Sequence, residues 1–181
     1  VGYGALTTDD VGQHNVAIGR DALSALNTAT AANTYNTAVG SSAGAAVTTG
    51  VQNTIMGGLA GDALNQANEN VALGYSALSA DLKGHRSVAI GAFALEAQQF
   101  CTSTNTYNVA IGYDTASNIS TGQRNVIVGG LAGDALTDAD DNVAIGTSAL
   151  STDTLGSRSV AIGKEALFAQ NFTTATNSYN T

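Results

Sequence analysis

The chain contains no proline and no tryptophan, one cysteine, one methionine and only six basic residues in 181. Six scattered Lys and Arg cannot build the patch that replaces phosphate counterions, so nucleic acid is set aside as a partner. A lone cysteine, Cys101, provides neither an intrachain disulfide framework nor a cysteine-based metal site, and reads as a small packed or loop thiol. Aromatics make up 6% of the chain, too few to fill a conventional globular core. Charged residues are also sparse, at 11%. With 44% hydrophobic residues, the composition is too apolar for intrinsic disorder. No apolar run approaches the ~20 residues of a membrane-spanning helix, so no membrane insertion is expected in this segment. The net charge of −8 implies solubility and little more.

What the chain does have is a repeat. Asn15-Val16-Ala17-Ile18-Gly19 returns in close variants along the whole sequence, and its closing glycines fall at 2, 19, 40, 57, 74, 91, 112, 129, 146 and 163. Successive glycines are seventeen places apart, except after Gly19 and Gly91, where the step is twenty-one. A fixed period of this size means stacked units. Three short steps and one long one make a larger block. Residues 19–90 and 91–162 align without gaps and are identical at 39 of 72 positions, which makes four coils the larger repeating block. Residues 1–18 and 163–181 are partial copies. The single repeat region, 1–181, opens and closes within a repeat and is expected to be part of a longer protein.

Each Val-Ala-Ile reads as a short strand, because β-branched residues favour strands and the flanking Asn and Gly favour turns. A Gly-x-x-Ala-Leu segment follows as a second strand or an irregular half-coil. The expected fold is all-β: a parallel β-solenoid, or β-roll, of about ten 17- and 21-residue coils. Strand alternation places Val and Ile on one face and Ala on the other. The larger side chains are expected inside. Ala17, Ala38, Ala72, Ala89, Ala110, Ala144 and Ala161 are then expected outside, as a close-contact face between chains of a homotrimer or filament. Core volume is expected to be shared. Leu23, Leu78, Leu95, Leu150 and Leu167 fill one interior position, and where Gly44, Gly61, Ala116 or Gly133 occupies it, Val47, Leu64, Ile119 or Leu136 follows three places later. The longer coils carry extra residues in Asn27–Asn33, Gln99–Asn105 and Asn171–Asn177. These should bulge outward once in four coils and are the first candidate for a binding feature.

One coil position forms a predicted structural ladder: Asn15, Asn36, Asn53, Asn70, Ser87, Asn108, Asn125, Asn142, Ser159 and Asn180. Stacked Asn amides in parallel β structures bond from layer to layer. The residue before each is also stacked, which sets Glu69 one coil from Arg86, and Asp141 between Arg124 and Arg158, as surface ion pairs.

Candidate chemistry is thin, and no catalytic residue, cofactor or metal is assigned. Gly40-Ser41-Ser42-Ala43-Gly44 has the G-x-S-x-G pattern of a nucleophile elbow. Its equivalents, Gly112-Tyr113-Asp114-Thr115-Ala116 and Gly57-Gly58-Leu59-Ala60-Gly61, lack the serine, and no strand–elbow–helix context surrounds it. His14 and His85 belong to turns without an evident partner. Asp138, Asp140 and Asp141, or Asp9 and Asp10, offer oxygen ligands suited to Ca²⁺, but the repeat mate of the first cluster is Gln66, Asn68 and Glu69. Asn118-Ile119-Ser120 and Asn171-Phe172-Thr173 match glycosylation sequons by pattern only. The reading is therefore non-enzymatic.

The recurring Asn-Val-Ala-Ile-Gly with x-x-Ala-Leu, and turns such as Thr48-Thr49-Gly50-Val51-Gln52-Asn53 and Ser120-Thr121-Gly122-Gln123-Arg124-Asn125, carry a resemblance over the whole chain. It resembles the repeat shaft of phage tail-fibre proteins and is similar to the left-handed β-roll head of trimeric autotransporter adhesins, whose coils are shorter. The first resemblance implies a trimeric shaft on a virion that projects a host-recognition tip. The second implies a bacterial-surface head that binds host or matrix ligands, either glycan or protein. Both imply a location at a virion or cell surface.

Overall fold

The computed structural model describes residues 1–28 and 30–181; Ala29, within the first expected bulge, lies outside the described residues. Among the described residues, fifteen short strands follow one another: β1 (Gly12–Gln13), β2 (Val16–Ile18), β3 (Ala32–Asn33), β4 (Thr37–Val39), β5 (Thr54–Met56), β6 (Val71–Leu73), β7 (Gly84–His85), β8 (Val88–Ile90), β9 (Thr104–Asn105), β10 (Val109–Ile111), β11 (Val126–Val128), β12 (Val143–Ile145), β13 (Gly156–Ser157), β14 (Val160–Ile162) and β15 (Thr176–Asn177). The Val-Ala-Ile strands form one nine-stranded sheet in the order β14-β12-β11-β10-β8-β6-β5-β4-β2. Every pairing is parallel and in register; Val71, Ala72 and Leu73, for example, lie beside Val88, Ala89 and Ile90. The chain is thus a parallel β-solenoid of about ten turns. At ~4.8 Å between strands, the sheet runs for about 38 Å. Each long coil adds one two-strand pair at its bulge: β1 with β3, β7 with β9, and β13 with β15.

The two faces of the sheet are the reverse of the expectation. Ala17, Ala38, Ala72, Ala89, Ala110, Ala144 and Ala161 point into the coil and are buried within a single chain, so they cannot form the predicted inter-chain face. Val and Ile on either side of them point outward. The reason is cross-section. A 17-residue coil brings the strand close to the segment opposite, and that gap is filled by Ala against Leu23, Leu78, Leu95 or Leu150, all fully buried. A larger residue enters the Ala file only where glycine makes room. Ile55 lies beneath Gly44 and Gly61, where an added Cβ would come within 2.9 and 3.4 Å of its Cδ1; Ile127 stands in the same relation to Gly133, at 2.8 Å. Val47, Leu64, Ile119 and Leu136 complete the interior in those coils. Close packing therefore holds, but with the strand alternation in the opposite phase.

The Asn ladder lies inside the turn. Its interior members clamp the next coil at two points. The side chain of Asn53 accepts from the Asn70 N–H through Oδ1 (3.1 Å) and donates through Nδ2 to the Ala67 carbonyl (2.8 Å). Asn36, Asn125 and Asn142 repeat this clamp on the coils that follow them. The partners are mainly backbone groups rather than neighbouring amides. They occupy buried positions where loss of a partner leaves polar groups unsatisfied. Asn53→Ala is accordingly expected to lower the unfolding free energy by about 2–3 kcal/mol, read from urea denaturation, because it strands one buried N–H and one buried carbonyl.

The turns also hold ordinary residues in left-handed backbone. Arg86 (φ 65°), Phe93 (φ 62°) and Leu95 (φ 50°) represent three such positions, all of which recur along the chain. L-residues visit this region rarely, so stacking against neighbouring coils must hold it in place.

Candidate functional site

The outward face of the sheet runs across all nine of its strands. One file is Val16, Thr37, Thr54, Val71, Val88, Val109, Val126, Val143 and Val160. The other is Ile18, Val39, Met56, Leu73, Ile90, Ile111, Val128, Ile145 and Ile162. Sixteen of these eighteen positions are apolar and none is charged. Ile18, Met56, Ile111, Val126 and Ile145 are each more than a third exposed. Contiguous uncharged apolar surface of this kind is characteristic of interaction sites, which makes this face the candidate.

A second apolar feature follows the turn glycines. Tyr75, Phe93 and Tyr113 sit on three successive coils and meet edge to face, with ring centroids 5.5 and 5.9 Å apart. Leu59 and Leu131 extend the row at either end and are partly exposed. The row occurs only in the middle of the chain. Its equivalents are Tyr3, Asp21 and Ser41 in one direction and Thr147 and Glu165 in the other, so the scaffold does not require it.

The edge that precedes the ladder is polar. Arg86 Nε donates to Glu69 (2.8 Å) and its NH1 to the Tyr107 hydroxyl (3.0 Å). Arg124 bonds Asp141 (2.6 Å) and Asp140 (3.1 Å), and Arg158 lies 3.9 Å from Asp141 and over the Tyr179 ring. These contacts hold the Glu69 and Asp141 carboxyls below their ordinary range, with the arginine hydrogen bond as the main cause in each. Such exposed pairs contribute little stability.

The acidic cluster is engaged in the same structural contacts. Asp138 accepts from Thr121 (2.7 Å), Asp140 from the Gln123 N–H (2.7 Å), and Asp141 from Arg124. Asp9 accepts from the Gly12 N–H and from Asn15. Among the described residues, no group of three His, Cys, Asp or Glu is arranged to hold a metal ion, and no helix is long and apolar enough to cross a membrane. His14 stacks on Tyr35, with centroids 5.0 Å apart. Ser42 stands at a left-handed turn position (φ 56°), and neither histidine is bonded to it.

His85 has a defined role. Its Nδ1 accepts from the Asn68 N–H (2.9 Å), which places the neutral ring's proton on Nε2, where it is directed at Ser103 Oγ (2.7 Å). That tautomer has no free acceptor for a serine proton. Burial is the main influence lowering the pKa of His85 below 6.5, only partly offset by Asp81. The unfolded chain therefore binds this proton more readily. Stability attributable to His85 is full above pH 6.5 and is lost as pH falls below that value. His85→Ser, with Ser157 as its natural counterpart accepting from the Asp140 N–H, should flatten thermal stability between pH 5 and 7. An unchanged slope in that window would contradict this assignment.

Compared with known protein families, characterised proteins and solved structures, the chain matches none. Sequence reasoning missed the Val/Ile files as a surface, although the same Val-Ala-Ile strands were its strongest signal.

Proposed function

We propose that this chain is a structural segment of a fibre shaft, on a virion or other extracellular appendage, and that it assembles as a homotrimer through its Val/Ile sheet face. The observation that carries the reading is that uncharged face, apolar at sixteen of eighteen positions along nine coils. Left in water, it exposes β-branched side chains over its whole length. Packed around an axis with two copies of itself, it becomes an apolar core running along a rod. The parallel, in-register coils supply stiffness, since each bonds only its neighbours and adds a fixed rise. A structural role fits the edge that precedes the ladder, where Glu69, Asp140 and Asp141 are engaged with Arg86, Arg124 and Arg158. Native mass over a dilution series tests the assembly. An oligomer of the unaltered chain supports the reading, and a single-chain mass at every concentration overturns it.

The aromatic row favours a second reading, in which the repeat region itself binds a host-surface glycan or protein, as in an adhesin head. Partly exposed rings on a rigid scaffold suit stacking on a neutral ligand. Replacing Tyr75, Phe93 and Tyr113 together by Ala should then abolish adhesion to host cells while leaving native mass unchanged. Retained adhesion would remove this reading.

A further inference from the structure

We infer that the two long coils that follow Ser87 and Ser159 each carry an inward-reaching polar key that seats them on one coil only and so fixes the order in which the coils stack. The Asn clamp is interrupted where Ser87 precedes the 21-residue coil. There, Gln98 from the long coil reaches inward instead. Its Nε2 donates to Asp81 Oδ2 (2.6 Å) and to Ser87 Oγ (2.9 Å), and its Oε1 accepts from Asn108 Nδ2 (2.8 Å). Asp81 Oδ1 accepts from the N–H groups of Gly84 and Phe100, both at 3.0 Å, and Ser87 Oγ meets Thr106 Oγ1 at 2.5 Å. Asp81, Ser87, Gln98 and Thr106 are fully buried.

The same relay returns one block later. Gln170 donates to Asp153 (2.5 Å) and Ser159 (2.9 Å) and accepts from Asn180, while the Phe172 N–H donates to Asp153 (2.8 Å). The first block solves the same problem with different residues. Asn15 stands in place of the serine and reaches Asp9 directly through Nδ2 (3.3 Å), its Oδ1 accepting from Thr34 Oγ1 (2.7 Å) and the Asn36 N–H (2.9 Å). The Gln position there is Leu26, which is fully buried. Two positions therefore change together: Asn with Leu, or Ser with Gln. The chain itself records that their roles are coupled.

Successive coils share one backbone ladder, so a slip by one coil is opposed mainly by side-chain mismatches, among them Ile55 against a neighbour without Gly44 or Gly61 and this polar relay. A slip by one coil here stacks the coil of Ile119, the residue seven places after Gly112, in place of the coil of Gln98. The buried carboxyl of Asp81 is then left without its amide partner. Buried polar groups that cost stability when mismatched are the established way to specify register. The key thereby sets the positions of the two later bulges.

Two experiments on the full chain test this. Ser87→Asn and Gln98→Leu should each lower the urea midpoint. The double variant, which copies the Asn15–Leu26 pair, should recover at least half of the loss caused by Gln98→Leu alone. Additive losses would overturn the coupling. Replacing the relay by apolar residues (Asp81→Leu, Ser87→Ala and Gln98→Leu together) should keep the β-sheet signal but split amide hydrogen exchange into two populations, one of them at least about tenfold less protected near Gly84 and Phe100. A single population with native protection would overturn the register role. Should that variant fail to fold, the double-variant comparison still decides the coupling.

Discussion

Gly91→Ala is expected to destabilise the chain by about 3 kcal/mol or more, enough to disrupt the coils on either side. Two effects act together. Gly91 has φ 129°, a conformation that side-chain-bearing residues rarely adopt, and a Cβ there would lie 2.1 Å from the Gly112 carbonyl oxygen. The obstruction is backbone, so no rotamer change relieves it. Gly19, Gly40, Gly57 and Gly74 face the next glycine's carbonyl in the same way, at 2.3–2.4 Å. Relaxing the strain would lengthen the bond from the Gly91 N–H to the Leu73 carbonyl (2.7 Å), which helps tie two coils together. Gly58→Ala is the control. Its added Cβ would meet only the Tyr75 ring, at 3.6 Å, an ordinary contact. That variant should change stability by less than about 1 kcal/mol, and could raise it by narrowing the unfolded ensemble. Equal losses in the two variants, measured by calorimetry, would show that the glycine ladder is not under this constraint.

The second large effect concerns assembly. Ile90→Lys with Ile111→Lys places two charges per chain on adjacent strands of the outward face. In an assembled core, those charges would be buried without partners, and each lost Ile forfeits roughly 1.5–3 kcal/mol of burial. The double variant is therefore expected to be folded but monomeric. Its circular dichroism should match that of the parent, because both side chains point away from the coil interior. Ala89→Leu provides the opposite case. Ala89 is fully buried on the interior side of the same sheet, so overpacking there should reduce folding stability by about 1–3 kcal/mol rather than act at the surface. If Ala89→Leu dissociated a still-folded oligomer while the lysine variant remained assembled, the assignment of faces would be reversed.

The period, the strands and their parallel register were readable because one pentapeptide recurs at nearly fixed spacing and strand propensity is concentrated in its centre. The alternation of faces was also readable, but its phase was not. Assigning the larger side chains to the interior is sound for a wide sheet packed on another layer. It fails when a 17-residue coil leaves room for little more than Ala. The corrective signal lies in the sequence. Isoleucine enters the Ala file at Ile55 and Ile127, and these are the coils whose neighbours carry Gly44, Gly61 or Gly133. Such compensation belongs to an interior. Thr37 and Thr54 in the Val file point the same way, since a hydroxyl is easily placed at a surface.

The ladder of Asn15 through Asn180 was visible as a column of one residue type, but its bonds run mainly to backbone groups that a sequence does not locate. Asp81 and Asp153 gave no sign of burial. Their partners Gln98 and Gln170 arrive from the following coil, and only the folded stack brings them together. The aromatic row was concealed differently: Tyr75 and Tyr113 occupy one coil position and Phe93 the next, so no single column shows all three rings.

The central claim is that the Val/Ile face is covered by two further copies of the same chain. Sedimentation equilibrium of the unaltered chain tests it most directly. The predicted result is a single species of three times the 18.0 kDa chain mass, reduced to 18.0 kDa by the paired lysine substitutions. A chain that sediments at 18.0 kDa across the accessible concentration range, with its outward valines and isoleucines in water, would contradict it.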